Sequence, residues 1–144
     1  MKAPGHKAHR ELALKVMAHH AGPAAGAQAI AAAASRAYDH LARVSAPLIG
    51  QGGFEALTGR ALHLARREYP CLVHAREPEP GAGLFAQVVA CLERQDAATG
   101  IEAAAAVFAT LTGLLVTFIG EPLTTRLVRK AWPDAFSAAS LEEA

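Results

Sequence analysis

Along most of the chain, apolar residues recur at intervals of three and four, the spacing that lines one side of an α-helix. The clearest seam is Ala27, Ile30, Ala34, Ala37, Leu41 and Val44. Its alternating steps are those of a helix packed lengthwise on a neighbour, and they predict a helix over 24–44. Before it, Leu12, Ala13, Val16 and Met17 make one stripe of a helix over 6–20, stopped by Ala21-Gly22-Pro23. Pro23 suits the first position of the next helix, where a missing N–H leaves no helical bond unmade. A third helix over 54–68 gathers Phe54, Leu57, Ala61, Leu64 and Ala65 and ends before Pro70. A fourth, over 84–94, turns Leu84, Val88, Cys91 and Leu92 inward. A sixth, over 122–132, does the same with Leu123, Leu127, Val128 and Ala131. No β-branched run with strict alternation occurs, so no strand is expected.

The breaks follow glycine and proline. Ser45-Ala46-Pro47 followed by Gly50, Gln51, Gly52 and Gly53 reads as an interruption holding a short turn around Leu48 and Ile49. The stretch from Pro70 to Gly83, with Glu77-Pro78-Glu79-Pro80-Gly81, cannot propagate a helix and reads as an exposed loop. Thr99 and Glu102 have the spacing of a capping box and would open the fifth helix. From Asp134 onward the chain reads as a frayed tail.

The fifth helix decides the class. From Ala103 to Gly120 there is no charged residue, and a stretch of that length meets the lower limit for a membrane span. Ala109-x-x-x-Gly113 would give such a span a close-packing face, with Arg126, Arg129 and Lys130 on a cytoplasmic flank. Yet the stretch is rich in Ala, Thr and Gly and tightly bracketed by Glu102 and Glu121. A helix apolar all round also suits the centre of a soluble bundle. The expected architecture is therefore all-α: a single domain over 1–144, a compact bundle of five to six helices around a central apolar helix at about 101–119. A single-pass membrane protein spanning 103–120 is the alternative.

Composition sharpens this only a little. A chain of 144 residues can bury roughly 68–70% of the surface its unfolded form exposes, so neither metal nor disulfide is needed to hold a core. A net charge of +1, with no run of one sign, lacks the strong basic footprint of a nucleic-acid arm. Cys71 and Cys91 form no CxxC. They read as free thiols of a reducing, cytoplasmic compartment. The N-terminal segment has no continuous apolar stretch of the signal-peptide kind.

Candidate chemistry is sparse. The chain has seven histidines but no E-x-x-H or H-E-x-x-H, the helical spacings of common metal sites. No metal and no cofactor is therefore expected. Cys71 with His74 gives no sign of a positioned pair, and there is no G-x-S-x-G and no phosphate-binding glycine loop. His63 falls opposite the apolar face of its helix, with Arg60 three residues before it and Arg66 and Arg67 three and four after. An exposed histidine among cations resembles the phosphoacceptor helix of histidine phosphotransfer domains. That resemblance, confined to one helix, implies phosphoryl transfer through His63, with Arg60, Arg66 and Arg67 steadying the added charge. The family's usual lysine and following glycine are Arg66 and Arg67 here. A solvated helix face would show the same pattern.

Two further features could meet an anion. Arg126, Arg129 and Lys130 form a basic stripe before Trp132, though cations in a last turn also serve the helix dipole. Gly52 and Gly53 lie in a glycine-rich turn leading into a helix N-terminus, a loose anion nest. With no catalytic set in view, the expected function is a non-enzymatic regulatory or protein-interaction helical module. Its partner would be another protein or a second copy, meeting the alanine seam of the second helix. The alternatives are phosphotransfer through His63, the membrane span, and an apolar ligand pocket between helices.

Overall fold

A computed structural model describes residues 4–22, 26–73 and 85–133. Among them are six α-helices: α1 (Pro4–Ala21), α2 (Ala27–Ile49), α3 (Gln51–Glu68), α4 (Phe85–Leu92), α5 (Ala97–Ile119) and α6 (Glu121–Ala131), with a 3-10 turn at Pro70–Val73. No strand occurs among the described residues. The helices pack around α5, so the fold is an all-α bundle with a central apolar helix. Most of the predicted loop from Pro70 to Gly83, Leu84, and the tail from Asp134 lie outside the described residues.

α5 earns its place by being small and apolar on every side. Ala103 through Ala109 are all buried, and α5 touches each of the other five helices. Alanines at the contacts let the neighbouring axes come close. Among the described residues it is the one helix long and apolar enough to cross a membrane. Its buried hydroxyl is internally satisfied: Thr112 Oγ1 donates to the Phe108 carbonyl at 2.8 Å. Its far end differs, for Phe118 is 64% exposed.

A ladder of aromatic rings runs through four helices to the residue just past α6. Phe54 on α3 meets Tyr38 on α2 at 5.4 Å. Tyr38 stacks on Phe85 of α4 at 4.2 Å. Phe85 lies 5.6 Å from Phe108 of α5, and Phe108 meets Trp132, just past α6, edge to face at 5.6 Å. Such pairs add about 0.5–1.5 kcal/mol beyond burial. Each ladder residue with a polar tip satisfies it. Trp132 Nε1 donates to the Ala37 carbonyl at 3.0 Å. The Thr58 hydroxyl donates to the Phe54 carbonyl, so the Tyr38 hydroxyl, 2.9 Å away, donates to Thr58. Burial pushes the Tyr38 phenol above its ordinary pKa, with the Thr58 bond opposing.

The structure corrects several boundaries. α2 does not stop at Val44 but runs through Pro47 to Ile49. The proline removes one backbone donor, the partner of the Arg43 carbonyl, but it sits in the last turn, so the loss is confined to the helix end. The predicted break then shrinks to Gly50. Its N–H donates to Ala46 and its carbonyl accepts from Phe54, so one residue ends α2 and opens α3. At φ 80°, ψ 152° the backbone is in a region essentially reserved for glycine. Gly120 repeats the device between α5 and α6 at φ 92°, ψ 159°.

The capping box at Thr99 is also displaced. Asp96 is the cap, accepting from the Thr99 N–H at 3.0 Å, and α5 starts at Ala97. On α3 the buried side is Phe54, Thr58, Ala61, Leu62 and Ala65, turned slightly from the expected stripe. Leu123, expected inward on α6, is 39% exposed. Thr124 is buried instead, its hydroxyl closing back on the Gly120 carbonyl. The alanine seam of α2 is spent within the chain: Ala31, Ala33, Ala34 and Ala37 are buried, and α2 meets all five other helices.

Candidate functional site

Three helix segments converge on one open cleft. α1 supplies His19 and His20 from its last turn, with Val16 one turn earlier. α2 supplies His40, Arg43 and Val44, whose spacing of three and four puts them on one helix face. α6 supplies Lys130 and Ala131, and the chain continues through Trp132 and Pro133. The cleft measures about 300 Å³, at the small end of the range for small-molecule sites, roughly 300–1,000 Å³.

Specific bonds hold these segments in place. Arg36 on α2 donates through Nη2 to the His20 carbonyl at 2.7 Å, which ties α2 to the end of α1. The His20 and His40 rings then meet edge to face at 5.5 Å, and His19 and His20 do so at 5.4 Å. Trp132 is fixed by its bond to the Ala37 carbonyl, one turn before His40 and Leu41. Val16 and Trp132, both buried, form an apolar floor.

The electrostatics are one-sided. Among the described residues, the lining holds Arg43, Lys130 and three imidazoles, and no carboxylate. Both cations are exposed. The C-terminal ends of α1 and α6 offset part of this, each contributing about half an elementary negative charge. Two formal positive charges against that leave a surplus of roughly one before any imidazole is counted. Two other concavities differ in this respect. A groove of about 310 Å³ between α1, α5 and α6 mixes Glu11 and Glu121 with Lys15. One of about 350 Å³ between α2 and α4 carries Asp39 and Glu93.

The cleft has no nucleophile beside a base among its described lining residues. Its three histidines do not form a metal site, nor does any other group of three or more His, Cys, Asp or Glu among the described residues. What the arrangement can do is hold an anion at its rim and apolar atoms on its floor.

No family model, no curated protein and no solved structure matches this chain. The site's reading therefore rests on its own chemistry.

The residues singled out from sequence are scattered relative to this cleft. His63 is exposed on α3, as expected, and Arg60 and Arg67 are exposed beside it. Arg66 is not available in the way the phosphotransfer resemblance implies. Its Nε donates to the Leu72 carbonyl at 3.1 Å and its Nη2 to Gln87 Oε1 at 3.2 Å, binding α3 to the 3-10 turn and α4. Of the basic stripe, Arg126 and Arg129 stay on the exposed side of α6, and Lys130 alone lines the cleft. Gly52 and Gly53 are helical, in the first turn of α3, so the loop geometry of a nest is absent there. Cys91 is buried; His74 lies outside the described residues. Sequence reasoning missed His40 and Arg43. Their shared face with Val44 was legible, but only the fold shows that α1 and α6 end against it.

A second polar cluster joins α1, α3 and α5. Arg10 donates to Glu68 and Glu102, each at 3.1 Å, and to the Tyr69 hydroxyl, with its guanidinium 5.9 Å over the Tyr69 ring. Partial burial would lower the guanidinium's pKa, but the bond to Glu102 and the charge of Glu68 outweigh it, so the shift is upward. Every charge in this cluster is answered, and it acts as a clamp.

Proposed function

We propose that the protein is a non-enzymatic regulatory helical module whose input is a small molecule bound between α1, α2 and α6. The observation that carries this reading is the cleft itself: a concave, cation-lined site with an apolar floor, built on rigid helices and holding no assembled catalytic set among its described residues. Titration of the labelled full chain with a panel of small metabolites, followed by amide and imidazole resonances, tests it. Perturbations gathered on His19, His20, His40 and Trp132, with the compound recovered unchanged, are the expected result. Chemical turnover of a bound compound, or no compound acting at these residues, would refute it.

A second reading keeps the exposure of His63. Phosphotransfer through it requires labelling by a phosphorylated receiver domain that His63→Gln abolishes. Because Arg66 is held by Leu72 and Gln87, only Arg60 and Arg67 remain to steady the phosphoryl group.

A further inference from the structure

We infer that the ligand of the α1–α2–α6 cleft is a small amphiphilic carboxylate, its head between Arg43 and Lys130 and its apolar body on Val16 and Trp132. This rests on the proposed binding role and adds the chemical class of the ligand.

Arg43 from α2 and Lys130 from α6 lie on the same lining, and no described carboxylate faces them there. Among the described residues neither forms an ion pair; the two pairs present are both made by Arg10. Two cations on separate helices share this lining with no described counter-charge, so an anion that enters the cleft is attracted by both. The negative ends of α1 and α6 reduce the surplus to about one unit. That matches a monoanion better than a dianion such as phosphate. A guanidinium also presents a fork that fits the two oxygens of a carboxylate.

The floor of the cleft is apolar. Val16 and Trp132 are 1% and 2% exposed, so the base is packed core that a ligand meets without rearranging it. Val44 and Ala131 are also on the lining. The apolar lining that water still reaches is Val44, half-buried, and Pro133, exposed. A purely ionic ligand would leave these two in water, and a short hydrocarbon body covers them.

Trp132 is the chain's single tryptophan, so its emission reports on the cleft directly. The test titrates the full chain with octanoate, octan-1-ol and octylamine. Octanoate is expected to change Trp132 emission saturably, octanol about tenfold more weakly, and octylamine not at all. The Arg43→Ala/Lys130→Ala double variant, which removes two exposed side chains, is expected to keep the far-ultraviolet spectrum and lose at least tenfold in octanoate affinity. If octanol binds as well as octanoate, the cleft is a ligand site but the carboxylate assignment is wrong. The assignment also fails if the double variant binds octanoate unchanged. If none of the three probes moves Trp132, the carboxylate assignment falls; whether the binding role falls with it is decided by the metabolite panel.

Discussion

The two polar clusters of this bundle use the same kinds of side chain in opposite ways. At the α1–α3–α5 junction one cation, Arg10, is met by two carboxylates and a phenol. At the α1–α2–α6 junction two cations, Arg43 and Lys130, share a cleft whose described lining holds no carboxylate. A cluster whose charges are matched from within holds helices together and has nothing left for a ligand. One whose charges stay unmatched gains little for the fold and is the place where a counter-charge from outside has most to offer. Abundance of histidine or arginine did not separate these roles; the presence or absence of acidic neighbours did.

Charge reversal at each cluster is the strongest way to break the comparison. Arg10→Glu removes both ion pairs and the Tyr69 bond and places a third carboxylate beside Glu68 and Glu102. The two acids are about half exposed, 44% and 50% at the side chain, so each lost pair is discounted to the range of surface bridges. The summed loss is about 2–3 kcal/mol of unfolding free energy by denaturant titration. Lys130→Glu is expected to change stability by less than about 0.5 kcal/mol. It loses a favourable position at a helix end, and the exposed side chain makes no ion pair among the described residues to lose. Equal losses at the two sites would remove the distinction between clamp and binding site.

The turns offer a second contrast, of intermediate size. Gly50 and Gly52 stand two residues apart, yet only Gly50 needs to be glycine. Gly50→Ala forces a Cβ into a backbone region that costs roughly 1–3 kcal/mol. Gly52 is helical, and a Cβ there meets nothing within 4 Å. Gly52→Ala should stabilise by about 0.5–1 kcal/mol through helix propensity. Thermal melts of the two variants should therefore move in opposite directions.

How much of this was readable in advance follows the range of the interactions. Periodicity found five of the six helices, because each of them buries one stripe and a stripe is local information. The uncharged run found α5 and its central place. Local rules misjudged the joins. Pro47 looked like a stop, but a proline in a last turn removes a single bond. Thr99 looked like a cap, but Asp96 lies three residues earlier and takes the Thr99 N–H, while Glu102 turns to Arg10. The cleft was the least legible part. His19, His20, Arg43 and Lys130 are far apart in sequence, and nothing local says that the ends of α1 and α6 meet the middle of α2. Arg66 shows the converse: it looked free on its helix and is occupied by a turn and a helix that follow it.

Ser45 extends the comparison to an uncharged group. Its hydroxyl is buried in α2 with no hydrogen-bond partner among the described residues. It is an unanswered polar atom, and unlike the cations of the cleft it is sealed from solvent and ligand. Leaving a buried hydroxyl unpaired costs about 1–3 kcal/mol, less the contacts its oxygen makes. Ser45→Ala should raise stability by about 1 kcal/mol, measured by denaturant titration. A loss instead would mean that the hydroxyl has a partner, such as an internal water.

The smallest effect tests whether backbone can answer a charge as side chains do at Arg10. Asp96 caps α5, and its bond from the Thr99 N–H, with further backbone donors, holds its pKa below the ordinary carboxylate value. A folded-state pKa lower than the unfolded one means stability that is present above the unfolded value and lost as pH falls through the folded one. Asp96→Ala should therefore lower the melting temperature slightly at neutral pH. The gap from wild type should narrow once the pH drops below about 4. Asp96→Asn keeps a capping oxygen without the charge and should lie between the two at neutral pH, with little pH dependence of its own. If the Asp96→Ala gap instead stays constant into acid, the ionised carboxylate is not what caps the helix, and the backbone N–H groups at the start of α5 answer no charge at all.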